Sequence, residues 1–75
     1  MSFELCLCEQ TLLREIADHT LTRDDIAATY ALAMISTEGD QVDWRTVNLC
    51  IAERWSPLGL TYIKQRAWKI LEGAT

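Results

Sequence analysis

Basic side chains, prolines, glycines and long apolar runs are all scarce in this sequence. Seven Lys and Arg stand against eleven Asp and Glu, a net charge of −4, the reverse of the balance in a dedicated nucleic-acid binder. No apolar run approaches the roughly 20 residues of a membrane span, and residues 1–10 hold Glu4 and Glu9 without a single Lys or Arg, unlike a secretory leader. The expectation is a cytoplasmic protein with no membrane partner. One Pro and three Gly exclude collagen-like and low-complexity chains. A single His, with no Ser-His-Asp or Cys-His arrangement that spacing can place, leaves no general base near neutral pH. Asp24 and Asp25 are adjacent, so on a helix they diverge and form no acid/base pair. No enzymatic activity and no small-molecule substrate are expected.

Three cysteines, Cys6, Cys8 and Cys50, are an odd number without a secretory leader, which argues for free and mostly buried thiols. Together with His19 they have the composition of a Cys3His zinc set. On a helix, however, residues two apart point about 200° from each other, so Cys6 and Cys8 cannot face one ion. No metal or cofactor is expected, and His19 is read as a residue at the C-terminal end of the first helix.

What is present is helical periodicity in a chain of 75 residues, 49% of them hydrophobic. This predicts one all-α domain of four short helices. A first helix over about 3–18 stacks Leu5, Cys8, Leu12 and Ile16 on one face, with Leu13 and Ala17 widening it. Residues 3–8 also alternate like a strand. Thr22 and Asp25 form a capping box, with Leu21 and Ile26 as a hydrophobic staple, and start a second helix over about 23–36. Its stretch IAATYALAMI is apolar nearly all round, which requires burial on more than one side, either as the central helix or as a face of a dimer. Gly39 is expected as the left-handed residue after that helix.

Asp43 caps a third helix over about 44–55 that stacks Trp44, Val47, Ile51 and Trp55, with Val42 and Val47 as staple. Ser56-Pro57 breaks it and starts a fourth over about 57–72, which turns Leu60, Ile63, Ala67, Ile70 and Leu71 inward and stops at Gly73. Two surfaces stand out. Residues 1–42 carry eight acids and two bases, −6, whereas residues 43–75 carry three acids and five bases, +2. Leu32, Ile35 and Leu49 fall opposite the core faces of their helices. Trp68 lies at the margin of its own, where it either packs on the first helix or stacks on a partner. Such surplus apolar residues predict a partner interface, and a homodimer is expected.

The stretch IAERWSPLGLTYIKQRAWKIL resembles the helix-turn-helix group of bacterial and phage DNA-binding proteins, a resemblance that covers about residues 47–70. Ala52 stands where that motif has a small residue in its first helix, and Ile63 matches the buried aliphatic of its second. Ser56-Pro57 replaces the usual Gly, and the span from Ala52 to Ile63 is one residue longer than the common pattern. The resemblance implies a C-terminal helix-turn-helix-like hairpin in a small phage-like regulatory protein that binds double-stranded DNA. Thr61, Lys64 and Gln65 would lie nearest bases, with Arg66 and Lys69 on phosphates. It further implies that the +2 half faces DNA while the −6 half faces away. The same bases are equally the solvated face of an amphipathic helix, and the alternative is an acidic helical protein-protein interaction module with no nucleic-acid binding.

Overall fold

The computed structural model describes residues 7–37 and 39–73. Three α-helices, α1 (Leu7–Ala17), α2 (Arg23–Ile35) and α3 (Trp44–Gly73), and a 3-10 turn at Gly39–Gln41 account for the fold. The all-α expectation holds; the count of four helices does not. The expected strand-like alternative for residues 3–8, and Cys6 with it, lies mostly outside the described residues.

α1 buries Leu12 and Ile16, as its stripe predicts, while Ala17 is exposed and Leu13 is half-buried. Helix α1 ends before His19, which sits exposed in the following turn and not in the last turn of the helix. The capping box at α2 is complete. The Asp25 N–H donates to Thr22 Oγ1 at 3.3 Å, and the Thr22 N–H donates to Asp25 Oδ2 at 2.9 Å. α2 is the central helix, packed against both α1 and α3 through Ile26, Ala27, Tyr30, Ala31 and Ala33.

Gly39 does not take a left-handed conformation, because no described glycine has positive φ. Space is what it supplies: a Cβ there would lie 2.8 Å from the Ala33 carbonyl oxygen as the turn folds back over the end of α2.

Asp43 precedes α3 and accepts the Thr46 N–H at 3.2 Å and its hydroxyl at 2.7 Å. Those two bonds hold the Asp43 carboxyl below its ordinary pKa. A depressed native pKa stabilises the fold above the unfolded Asp value, and that contribution is lost as pH falls through the native one. Removing the hydroxyl in Thr46→Val is therefore expected to raise the Asp43 titration midpoint in carboxyl-detected NMR. An unchanged midpoint would show that the hydroxyl does not set it. Glu9, 3% exposed, reaches across from α1 and accepts the Asp43 N–H at 2.7 Å, so the start of α3 is tied to α1 as well as capped.

The expected third and fourth helices form one 30-residue element, α3, bent at a single residue. A straight helix of that length would run about 45 Å, longer than the greatest dimension of the molecule, 38 Å. The bend has a local cause. Pro57 disfavours helical geometry at the residue before it, and Ser56 adopts φ 76°, ψ 165°. The break expected at Ser56-Pro57 is thus a single non-helical residue, and the two expected helical arms follow one another with no loop between them. That backbone region is nearly reserved for glycine and costs about 1–3 kcal/mol in other residues. Ser56→Gly is thus expected to raise the thermal midpoint by a few degrees, less than the full relief because glycine also loses more chain entropy. A lower midpoint would mean that Ser56 carries no strain. Beyond the bend, Gly59, Ile63 and Ala67 return to the core against Val47 and Ile51. Trp44 and Trp55, expected in the core, only flank it and are half-buried, because the buried strip of the first arm is narrow and centred on Val47 and Ile51.

Candidate functional site

The first candidate surface lies between α1 and α2. The two helices touch through polar ties at each end. Cys8 Sγ donates to Ser36 Oγ at 3.3 Å, and the Thr29 hydroxyl meets both Glu15 carboxylate oxygens at 2.8 and 2.9 Å. Between the ties runs a groove of about 320 Å³ walled by Leu7, Cys8 and Thr11 from α1, by Thr29 and Leu32 from α2 and by Ser36 just past its end. Leu7 is 71% exposed and Leu32 65%. One turn after Leu32, Ile35 continues the outward stripe of α2 at 64% exposure. From Ile26 to Ile35 that helix has no charged residue on any side.

The other two residues expected at an interface are also exposed, Leu49 and Trp68 at 57% each, but they lie elsewhere. Leu49 stands on the outer side of the first arm of α3, among exposed Arg45, Thr46 and Glu53. Trp68 stands apart from the α1–α2 groove. It lines a separate cleft of about 350 Å³ with Tyr30, Met34, Trp44 and Lys64. Beyond the bend at Ser56 the second arm runs back alongside α2, where Tyr62 and Arg66 meet Asp24. In that cleft Tyr30 and Trp44 pack with ring centres 4.8 Å apart, and their polar atoms are already used. The Tyr30 hydroxyl donates to Asn48 Oδ1 and Trp44 Nε1 to the Gly39 carbonyl. Burial pushes the Tyr30 phenol up. Leu7, Thr11 and Glu15 were not singled out as site residues by sequence. The available signal was Leu7, which falls opposite the Leu12–Ile16 stripe.

The proposed DNA-contacting residues divide over the second arm of α3. Thr61, Gln65 and Lys69 recur every four residues on its outer face and are exposed, the Thr61 hydroxyl donating back to the Pro57 carbonyl at 3.1 Å. Lys64 lies on one flank, at the Trp44–Trp68 cleft. Arg66 lies on the other, 3.8 Å from Asp24 at the start of α2. Tyr62 donates to the same Asp24 at 2.7 Å, a bond that raises its pKa, and Arg23 sits over the Tyr62 ring at 4.9 Å. Acid from the N-terminal half therefore borders the basic arm instead of facing away from it. A fourth base of the C-terminal half, Arg54, is occupied inside the fold. Its guanidinium donates to the carbonyls of Ile16 at 2.8 Å and Leu21 at 3.0 Å, and lies 4.0 Å over Trp55.

Cys8 and Cys50 are free and half-buried. Among the described residues no group of three or more His, Cys, Asp or Glu is placed to hold a metal ion, and no helix is long and apolar enough to cross a membrane. Compared with protein-family models, curated proteins and solved structures, the chain finds no match.

Proposed function

We propose that the protein is a non-enzymatic docking module that binds another protein through the α1–α2 groove and the outer stripe of α2. The uncharged outward pole of α2 carries this reading, since a helix at the surface of a self-sufficient domain puts charge where this one has Ala28, Leu32 and Ile35. Covering Leu7, Leu32 and Ile35, each about two-thirds exposed, is worth roughly 3–6 kcal/mol at 1.5–3 kcal/mol per fully buried side chain. Association costs of about 4–15 kcal/mol leave that insufficient alone, so polar contacts at the rim must add to it. A photo-cross-linking residue at position 32, in cells of the source organism, is expected to yield protein adducts that the same residue at position 65 does not. Absence of adducts from position 32 would refute docking at this groove.

A second reading rests on the corner. Ser56 takes the positive φ for which glycine is the default, at the point where the helix-turn-helix resemblance has its Gly. Residues 44–55 and 57–72 would then be the two helices of a helix-turn-helix-like hairpin in a small phage-like regulator, dimerising to reach useful specificity on double-stranded DNA. On the second arm Arg66 is paired with Asp24, which among the described residues leaves Lys64 and Lys69 as its bases without a salt bridge, and Arg54 of the first arm is engaged inside the fold, which is why docking is preferred. Random duplex DNA should show a mobility shift at about 50 mM salt that weakens steeply as salt rises. Charge reversal at Lys64 and Lys69, but not at Arg14, should remove it. No shift at tens of micromolar would remove the DNA reading.

A further inference from the structure

The α1–α2 groove is not uniform along its length, and its gradient specifies what lies in it. At the end defined by Leu7, Cys8 and Ser36 it is uncharged. Past Thr29, just beyond the other end, stand Glu15 of α1 and Asp25 of α2, whose carboxylate also accepts from the Thr22 N–H and hydroxyl. The Thr29 hydroxyl lies between them, meeting the Glu15 carboxylate at 2.8 Å and the Asp25 carbonyl at 3.5 Å. One hydroxyl proton shared by two carboxylate oxygens leaves the charge of Glu15 unneutralised. Among the described residues neither Glu15 nor Asp25 has a salt bridge, the single such pair being Arg66 with Asp24. Asp18 adds a third acid just past the end of α1, held ionised by bonds from the Thr20 hydroxyl and N–H that lower its pKa. Arg14 on the α1 rim is one base set against these three. Arg54 stands against this end too, donating to the Glu15 carbonyl at 3.5 Å and helping to lower the Asp18 pKa, so the acids left for a partner are Glu15 and Asp25.

We infer that the groove takes a basic amphipathic helical segment of a partner protein, with apolar anchors over Leu7 and Leu32 and Lys or Arg side chains against Glu15 and Asp25. Leu7 and Glu15 are eight residues apart, about 12 Å along a helix. The matching segment therefore carries apolar residues at i and i+4 and a cation at i+7 or i+8. A second copy of this chain does not fit. Paired head to head, two grooves would oppose their acid ends, and paired head to tail they would desolvate Glu15 and Asp25 against Leu7 and Leu32 without a counter-charge. Phosphate-bearing surfaces are repelled by the same acids. This inference rests on the docking reading and adds to it the chemistry of the occupant.

The test uses the full chain and two synthetic helical peptides with identical leucines at i and i+4, one with Lys at i+7 and i+8 and the other with Glu. In amide-resolved NMR titrations the Lys peptide is expected to shift Leu7, Thr11, Leu32 and Ser36, and to bind at least about tenfold more tightly than the Glu peptide, two exposed ion pairs being replaced by two repulsions. Glu15→Gln still accepts from Thr29, so the fold survives. It should weaken the Lys peptide by about threefold to fivefold, as one exposed pair allows. Raising salt to about 0.5 M should do the same to the unaltered protein, which checks the result without any substitution. Equal binding of both peptides, shifts centred on Trp44 and Trp68, a dimer in sedimentation that the Lys peptide cannot compete with, or no binding at about 1 mM (only about −4 kcal/mol) would each overturn the inference. Cross-linking through position 32 combined with indifference to peptide charge would keep the docking module and discard its basic partner. Loss of cross-linking as well would discard both.

Discussion

Replacing Arg54 with Met is expected to lower the thermal midpoint by roughly 10–25 °C, the largest effect of any single change outside the apolar core. The side chain reaches from the first arm of α3 to the C-terminal end of α1. There it donates to the Ile16 carbonyl at 2.8 Å and, at the limit of bonding, to the Glu15 carbonyl at 3.5 Å. Its second Nη donates to the Leu21 carbonyl at 3.0 Å in the turn before α2. One planar fork therefore caps one helix, fixes the approach to a second and belongs to the third. Hydrogen bonds from a charged donor contribute about 1.5–3 kcal/mol each when buried, and the half-exposed position of Arg54 discounts them. The favourable end of the α1 dipole adds about 0.3–1 kcal/mol, and the cation over Trp55 about 0.5–1 kcal/mol.

A net loss of roughly 2–4 kcal/mol is large against the 4–11 kcal/mol that about 0.05–0.15 kcal/mol per residue allows a chain of this size. Met keeps the aliphatic stem, so the experiment isolates the guanidinium from lost packing. Arg54→Lys should recover little, because an ammonium cannot span carbonyls that the fork reaches together. Arg45→Met, on the exposed side of the same arm, should move the midpoint by no more than a degree or two. If Arg54→Met melts like Arg45→Met, the cap is not formed in solution.

The difference between those two arginines marks what was legible in the sequence. Local grammar carried through: the Thr22–Asp25 box, the Asp43 cap and the inward faces built on Leu12, Ile16, Ile63 and Ala67 depend on spacing within one helix, and all are present. What did not carry through depends on which helices meet. Nothing near Arg54 in sequence announces that α1 ends beside it, so by sequence it is simply one of the five bases of the +2 half. Glu9 looks like any acid of an opening segment, yet it is buried because α1 lies across the start of α3. The candidate surface follows the same rule. Leu32 and Ile35 were legible as surplus apolar residues on one helix, whereas the groove they border exists only once α1 brings Leu7 and Glu15 to it. The group of Thr61, Lys64, Gln65, Arg66 and Lys69 shared a short stretch of sequence, and a helix spreads them over a wide arc.

Gly59→Ala should destabilise the fold by about 2–3 kcal/mol, in the upper range of an overpacked core site. This reverses the usual sign, since alanine within a regular helix is better than glycine by about 0.5–1 kcal/mol. In an unbent helix, residues four apart hold their Cβ atoms about 5–6 Å from each other. The turn at Ser56 brings Gly59 far closer than that onto Trp55, and a Cβ at Gly59 would fall inside contact distance of the Trp55 Cβ, with its Cγ only 3.5 Å away. The Trp55 Cβ is fixed to its backbone, so the contact cannot be relieved by a rotamer change, and the two arms of α3 must splay. Gly73→Ala is the control, because nothing lies within 4 Å of a Cβ at that position. Splaying would draw Lys64 and Trp68 away from Trp44 and change the tryptophan emission, while the α1–α2 groove, which contains no residue of α3, should keep its affinity for the Lys peptide. A thermal midpoint raised by Gly59→Ala would mean instead that α3 is straighter at Ser56 than described, and the helix-turn-helix-like corner would go with it.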